Sequence, residues 1–163
     1  MEMLSKTVES ALNRQMNREL YSSYLYLSMS AYCESVSMRG SAHWLRLQAE
    51  EEKVHGMKFY DYLIEAGGRA TMLPIEAPPS EWKSVGDVFD TVLSHEQKVT
   101  AMINDLVNLS IAEKDHATNI FLQWFVKEQV EEESNAGDIV SQIRLVGDVP
   151  GHLFYLDHHL GKR

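Results

Sequence analysis

Cysteine occurs once in the 163 residues, as Cys33, so the chain carries no disulfide framework and no thiolate knuckle for a metal. Basic side chains are also scarce. Fifteen Lys and Arg against 24 Asp and Glu leave a formal charge of -9, which removes the counterion-displacing patch that a phosphate-backbone binder needs. No apolar run approaches the ~20 residues of a membrane span. The opening MEMLSKTVES is too charged, and too quickly helical in pattern, for a secretory leader. The expectation is one domain over 1–163, reduced and cytoplasmic, with neither nucleic acid nor membrane as partner. Its 44% apolar content is enough for a real core, and its acidic excess suits solubility or the attraction of cations.

Proline and glycine, 4 and 9 of them, punctuate sparsely. Between them the apolar residues recur at helical spacing, which predicts helices over 5–35, 41–66, 84–112 and 115–146, then a short fifth over 150–160 after the GDVPG break. Ser84-x-x-Asp87 has the form of a capping box, and Asp115 is placed to cap the fourth helix. The one long irregular stretch is GGRATMLPIEAPPSEWK, within which ATMLPI is ambiguous between strand and loop. A helix of ~27 residues is ~40 Å long, and about 17 extended residues reach ~55 Å. The stretch can therefore run the full length of a bundle and start the third helix back where the second began. The fold class is all-α: a four-helix bundle with one long crossover between its second and third helices, and a short C-terminal fifth helix.

Steps of seven stay nearly on one face of a helix. The first helix gives Leu12, Glu19, Tyr26, Cys33, and the second gives Leu45, Glu52, Phe59, with Gln48, His55, Tyr62 on the adjoining line. The third gives Phe89, Glu96, Ile103. The fourth gives two lines, Leu122, Gln129, Ala136, Ile143 and Phe125, Glu132, Ile139, Val146. Each of the four long helices thus sets a carboxylate where the pattern reserves a core position. Each of these groups lies roughly 11 to 17 residues along its helix, so all share one depth near mid-bundle. A single inward Glu or His is ordinarily a core polar group with a hydrogen-bond partner; agreement of four helices in direction and depth is a different matter.

Several carboxylates buried together repel and raise one another's pKa, so protons or cations must neutralise them. Two divalent ions would cancel the four charges of Glu19, Glu52, Glu96 and Glu132. The oxygen-rich set, with one imidazole and one amide, suits iron or manganese; zinc could bind but would carry no redox chemistry. Of the neighbouring acids, Glu50, Glu51, Glu128, Glu131 and Glu133 read as a solvated face, although Glu128 and Glu131 flank the Gln129/Glu132 pair one turn apart and leave room for a third cation.

NRELYSSYLYLSMS, EEEKVH, SHEQ and FLQWFVKEQVEEE together resemble the ligand segments of the ferritins, in particular the non-haem ferritins of bacteria and archaea, and the resemblance covers the whole chain. It implies a ferritin-like bundle that stores iron and acts as a ferroxidase. Two Fe(II) would bind at mid-bundle and be oxidised by dioxygen or hydrogen peroxide, with ferric mineral laid down in the cavity of a 24-subunit homo-oligomeric shell. By resemblance the first iron is held by Glu19, Glu52 and His55, with Glu52 bridging. The second is held by Glu52, Glu96 and Glu132, with Gln129 close by as a hydrogen-bonding group or weak ligand. A third site matches Glu51, Glu128 and Glu131, with or without Glu132. Tyr26 matches the family's tyrosine beside the centre, a donor of an electron or a hydrogen bond; on its stripe alone it reads equally as a core aromatic. The fifth helix, PGHLFYLDHHLG, would line four-fold contacts of the shell, while His152, His158 and His159 read as surface residues.

Sister families fit less well. Symmetric di-iron bundles carry a second Glu-x-x-His on the fourth helix, where this chain has Gln129-x-x-Glu132. Bacterioferritin places a haem-ligating Met directly after the second helix's glutamate, where this chain has Lys53, so no haem is expected and the 8 methionines read as core fillers. Two other functions stay open on the residues: a non-storage, peroxidase-like oxidoreductase that keeps its two metals, and a structural bundle.

Overall fold

The computed structural model describes residues 4–147 and 149–163. Residues 1–3, the start of the MEMLSKTVES segment, and residue 148, inside the GDVPG break, lie outside the described residues. The described chain forms α1 (Lys6–Ser35), α2 (Arg39–Glu65), α3 (Val85–Ala112), α4 (His116–Val146) and α5 (Pro150–Leu160). The start signals act as their chemistry requires. Ser5 Oγ accepts from Val8 N–H at 3.3 Å, Ser84 Oγ from Asp87 N–H at 3.1 Å, and Asp115 Oδ1 from Thr118 N–H at 2.9 Å. Asp87 returns its carboxylate to Lys83 N–H at 2.9 Å, one residue before the cap. α2 ends on Gly67, whose φ of 80° lets Gly67 N–H and Gly68 N–H turn back onto Ile64 and Leu63 carbonyls.

α2 begins two residues earlier than its sequence pattern predicts, and the reason lies far along the chain. Met38 offers no side-chain cap. Instead Asp157, buried on α5, accepts from Gly40 N–H at 3.0 Å, from Ser41 N–H at 2.7 Å and from the Ser41 hydroxyl at 2.7 Å. A carboxylate from another helix thus satisfies the first free donors of α2. The approach is so close that a Cβ on Gly40 would lie 1.7 Å from the Asp157 main-chain oxygen.

The crossover between α2 and α3 contains no strand, which settles ATMLPI as loop. It runs along α1 and is fastened at intervals. Asn13 donates to Arg69 O at 2.8 Å and accepts from Thr71 N–H at 2.6 Å; Asn17 repeats the pattern with Thr71 O at 2.9 Å and Leu73 N–H at 2.9 Å. Further on, Arg18 forms a two-pronged pair with Glu76 at 2.7 and 2.8 Å, and Ser28 donates to Pro79 O at 2.6 Å. Two side-chain amides therefore supply what a neighbouring strand would give the loop backbone. The crossover follows α1 for most of its length, so α3 starts at the end of the bundle where α2 began.

Apolar burial divides into two clusters. One holds Leu25, Met29, Trp44, Leu45, Phe89 and Ala136; the other holds Leu12, Met16, Phe59, Leu63, Ile103 and Phe125. At about 1.5–3 kcal/mol for each large side chain taken out of water, either cluster is a substantial core of its own. Between them, on all four long helices, the inward positions turn polar.

Candidate metal centre

Glu19 and Glu96 are each 1% exposed, Glu52 2%, His55 and Gln129 4%, and Glu132 6%. Helix periodicity places them there: each sits on the stripe whose other members build the two apolar clusters, so the same packing that buries the neighbours buries the acid. Ligand-capable atoms of Glu19, Glu52 and His55 all lie within 4.8 Å of one another, as do those of Glu52, Glu96 and Glu132. Glu52 belongs to both triads. His55 Nδ1 is 3.2 Å from Glu52 Oε2, and Gln129 Nε2 donates to Glu96 Oε2 at 3.1 Å and to Glu96 O at 3.2 Å.

Two ionised carboxylates no more than 4.8 Å apart repel by at least about 3.5 kcal/mol at an effective dielectric of about 20. Burial adds to this. It pushes the Glu19 and Glu52 carboxyls well above the usual range, reinforced for Glu19 by Glu52 and for Glu52 by Glu96. Burial and then Glu96 push Glu132 up to about 8. Burial raises Glu96 as well, against the opposing pull of O–H and N–H donors from Tyr26 and Gln129. Without cations the cluster is held by protons. Glu19 Oε2 is nevertheless buried with no hydrogen-bond partner among the described residues. Such an atom is costly to leave bare and is the kind of acceptor a cation satisfies. Hard oxygen donors with one imidazole, and no thiolate, fit iron.

Tyr26 is fully buried and donates its O–H to Glu96 Oε1; burial and then the Glu96 charge hold its phenol well above its ordinary value. It is a core aromatic and a donor to the cluster at once. The acids of the expected third site are arranged differently from the first two sets. Glu51 and Glu131 are exposed and Glu128 is half-buried. Glu128 groups with His55 and Glu132, while Glu51 is paired with Arg163 at 2.8 Å. On α5, His152, His158 and His159 are exposed.

Several side chains that order the centre are not among the expected ligands. Gln15 donates to Glu19 Oε1 at 3.0 Å. Gln48, 1% exposed, donates from one amide nitrogen to Glu52 Oε1 at 3.2 Å and Glu132 Oε2 at 2.7 Å. Thr100 donates to Glu133 at 2.6 Å and accepts from Gln129 at 3.3 Å. Gln48 does lie on the same helical line as His55, and Gln15 one turn before Glu19, so an inward amide beside an inward acid was the available signal. His95 packs edge-on to Tyr26 with ring centroids 5.7 Å apart and its Nε2 is 2.7 Å from Ser22 Oγ; burial pushes its pKa down to about 4, so the ring is neutral.

Residues 9–146 match the family model described as "Ferritin-like domain". The chain is similar to the bacterial non-heme ferritin of Bacteroides fragilis, 42% identical over 161 residues that cover 99% of this chain and 100% of that one. It is similar to a probable bacterial non-heme ferritin-like protein of Haemophilus influenzae, 43% identical over 98% of this chain and 96% of that one. Among solved structures it superposes on an open pore ferritin from the hyperthermophilic archaeon Archaeoglobus fulgidus with a TM-score of 0.97 and 48% identity, covering 98% of each chain.

Proposed function

The chain belongs to the ferritin family, on its bacterial and archaeal non-haem branch, and from that premise we propose that it oxidises Fe(II) at the mid-bundle cluster and stores the ferric product. The observation that carries this reading is the meeting of two buried triads, Glu19/Glu52/His55 and Glu52/Glu96/Glu132, through one shared carboxylate. Iron is the substrate. Two ferrous ions take the two triads with Glu52 between them, and Gln129 stays beside the second as a hydrogen-bonding group. Each ion gives one electron to a shared oxidant, dioxygen or hydrogen peroxide, a reaction for which two adjacent metals are suited. Carboxylate donors stabilise the higher charge of the ferric product. The protons that hold the empty cluster leave as the ferrous ions enter. A third ion at Glu51, Glu128 and Glu131 requires Glu51 to leave Arg163.

We take the whole chain as one domain that assembles with 23 copies of itself into a shell, working in the cytoplasm. Leu145, Phe154 and Tyr155 are 86%, 67% and 76% exposed, apolar surface that calls for a cover. Among the described residues no helix is long and apolar enough to cross a membrane. On gel filtration such an assembly should elute at several hundred kilodaltons. The site is tested by replacing Glu19 and His55 together with Ala and following the early absorbance of ferric product after aerobic addition of Fe(II). The expected result is loss of the fast phase from an intact assembly; an unchanged initial rate would sink the assignment.

A further inference from the structure

Arg163, three residues past α5, folds back over α2. Its guanidinium lies 4.6 Å above the Trp44 ring, donates to Trp44 O at 3.3 Å and to Gln48 Oε1 at 3.0 Å, and pairs with Glu51 Oε1 at 2.8 Å. His43 Nε2 sits 3.2 Å from the Arg163 main-chain oxygen, which fixes the backbone from the other side. The consequence falls on Gln48. With its oxygen engaged by Arg163, the Gln48 amide must turn its nitrogen inward, where it meets Glu52 and Glu132. The reverse orientation would face an amide oxygen against two carboxylates and an amide nitrogen against a cation, so the guanidinium decides the polarity of the amide. Gln48 in turn spans α2 and α4 and touches one carboxylate of each.

We infer that Arg163 is a positioning residue of the metal centre, acting through Gln48 to orient Glu52 and Glu132. The inference rests on the reading of that centre given above. An N–H held against each carboxylate fixes which oxygen stays free for an ion, the role that partners behind metal ligands commonly play. Arg163 also lines a cleft of about 480 Å³ together with Glu51, His55, Trp124 and Glu128, so it stands at the opening from which the centre is reached between α2 and α4. Arg is suited to this place in a way Lys is not. Its planar fork engages Gln48, Glu51 and the Trp44 carbonyl at once while its face stacks on the indole, whereas an ammonium is a single point.

The probe is Co(II), titrated anaerobically into the assembled full chain. Visible absorption reports coordination geometry and the binding isotherm reports affinity. Wild type should take up two ions per subunit. Arg163→Ala should weaken the ion that depends on Glu132 by about 10-fold and change its absorption envelope, with assembly size unaltered. Gln48→Ala should do the same, and the double variant should be no worse than Gln48→Ala alone, because the two act through one contact. Arg163→Lys, which keeps one donor for Gln48, should restore part of the loss. Wild-type Co(II) binding and spectrum in Arg163→Ala would overturn the inference, as would losses that multiply in the double variant. A wild-type protein that binds no Co(II), or binds it equally after Glu52→Ala, would instead overturn the reading of the centre itself.

Discussion

Metal binding to this cluster should be an exchange of cations for protons, and Glu132 allows the exchange to be counted. Its carboxyl is held at about 8. In the metal-free protein it is therefore mostly protonated at pH 6.5 and mostly ionised at pH 8.5. An ion that takes Glu132 as ligand needs the anion. Filling the site should thus release more protons per subunit at pH 6.5 than at pH 8.5, by up to about one from this residue. Glu19 and Glu52, both raised well above the ordinary range, add their own protons at neutral pH. Affinity should rise with pH by up to about 10-fold per unit for each proton displaced, flattening first near pH 8 as Glu132 ionises on its own.

The assay is a pH-stat titration of the metal-free assembly with Zn(II), an ion that introduces no redox step. Glu132→Gln keeps the size and burial of the side chain but removes its proton together with a ligand oxygen, so the two proteins are compared per Zn(II) bound. A variant that released as many protons as wild type at pH 6.5 would refute the reasoning, as would a wild-type yield that does not change between pH 6.5 and 8.5. Either result would mean that Glu132 does not change its protonation between pH 6.5 and 8.5 in the empty protein.

The same shift sets the pH dependence of the empty protein's stability. An unfolded Glu titrates near ~4.3 and folded Glu132 at about 8, so the native state binds the extra proton; the stabilisation is complete below pH ~4.3, fades by up to about 1.4 kcal/mol per unit as pH rises and is gone above about 8. Denaturant midpoints of metal-free wild type should therefore fall across that interval, and Glu132→Gln should fall less. Tyr26→Phe keeps the packing but strips a donor from buried Glu96, at a cost of about 1–3 kcal/mol, and should slow the first phase of Fe(II) oxidation measured by stopped flow. Phe59→Ala, which removes a fully buried ring 4.4 Å from Phe125, should cost about 3–5 kcal/mol in chemical denaturation and leave the α5 end of the bundle in place. Gly40→Ala forces its new methyl into the Asp157 backbone, so α5 should lose amide-exchange protection while α3 and α4 keep theirs.

How much of this was legible in the chain depended on distance. Glu19, Glu52, Glu96 and Glu132 announce themselves because helical periodicity is a local property: the apolar residues seven positions away define the face, and the acid violates it. The capping serines and Asp115 are legible for the same reason, since each acts within three residues. The early start of α2 was not, because its cap is Asp157, 116 positions from Ser41. Nor was Arg163, whose partners Gln48 and Glu51 lie 115 and 112 positions away. Glu51 shows the limit from the other side. Its charge and its place beside Glu52 were visible, but an exposed acid takes whichever cation the fold brings to it, and the fold brings Arg163.

The centre divides the core, and that division has a use. Groups that must shed protons, admit ions and release product cannot also be the groups that hold the bundle together. Here the Leu12–Phe59–Phe125 side and the Met29–Leu45–Phe89 side each carry large fully buried residues. The polar layer between them, raised carboxyls and a bare Glu19 oxygen included, represents a local cost set against two independent apolar cores. Amide side chains then confine that cost. Gln15, Gln48 and Gln129 each donate to one or more of the acids, which orients the carboxylates without contributing a charge of their own. A Lys or Arg in any of these three places would add a fixed positive charge that offsets one of the four carboxylates and repels an incoming ion. Neutral donors inside, with the guanidinium kept further out at Arg163, leave the carboxyls free to exchange their protons for incoming ions.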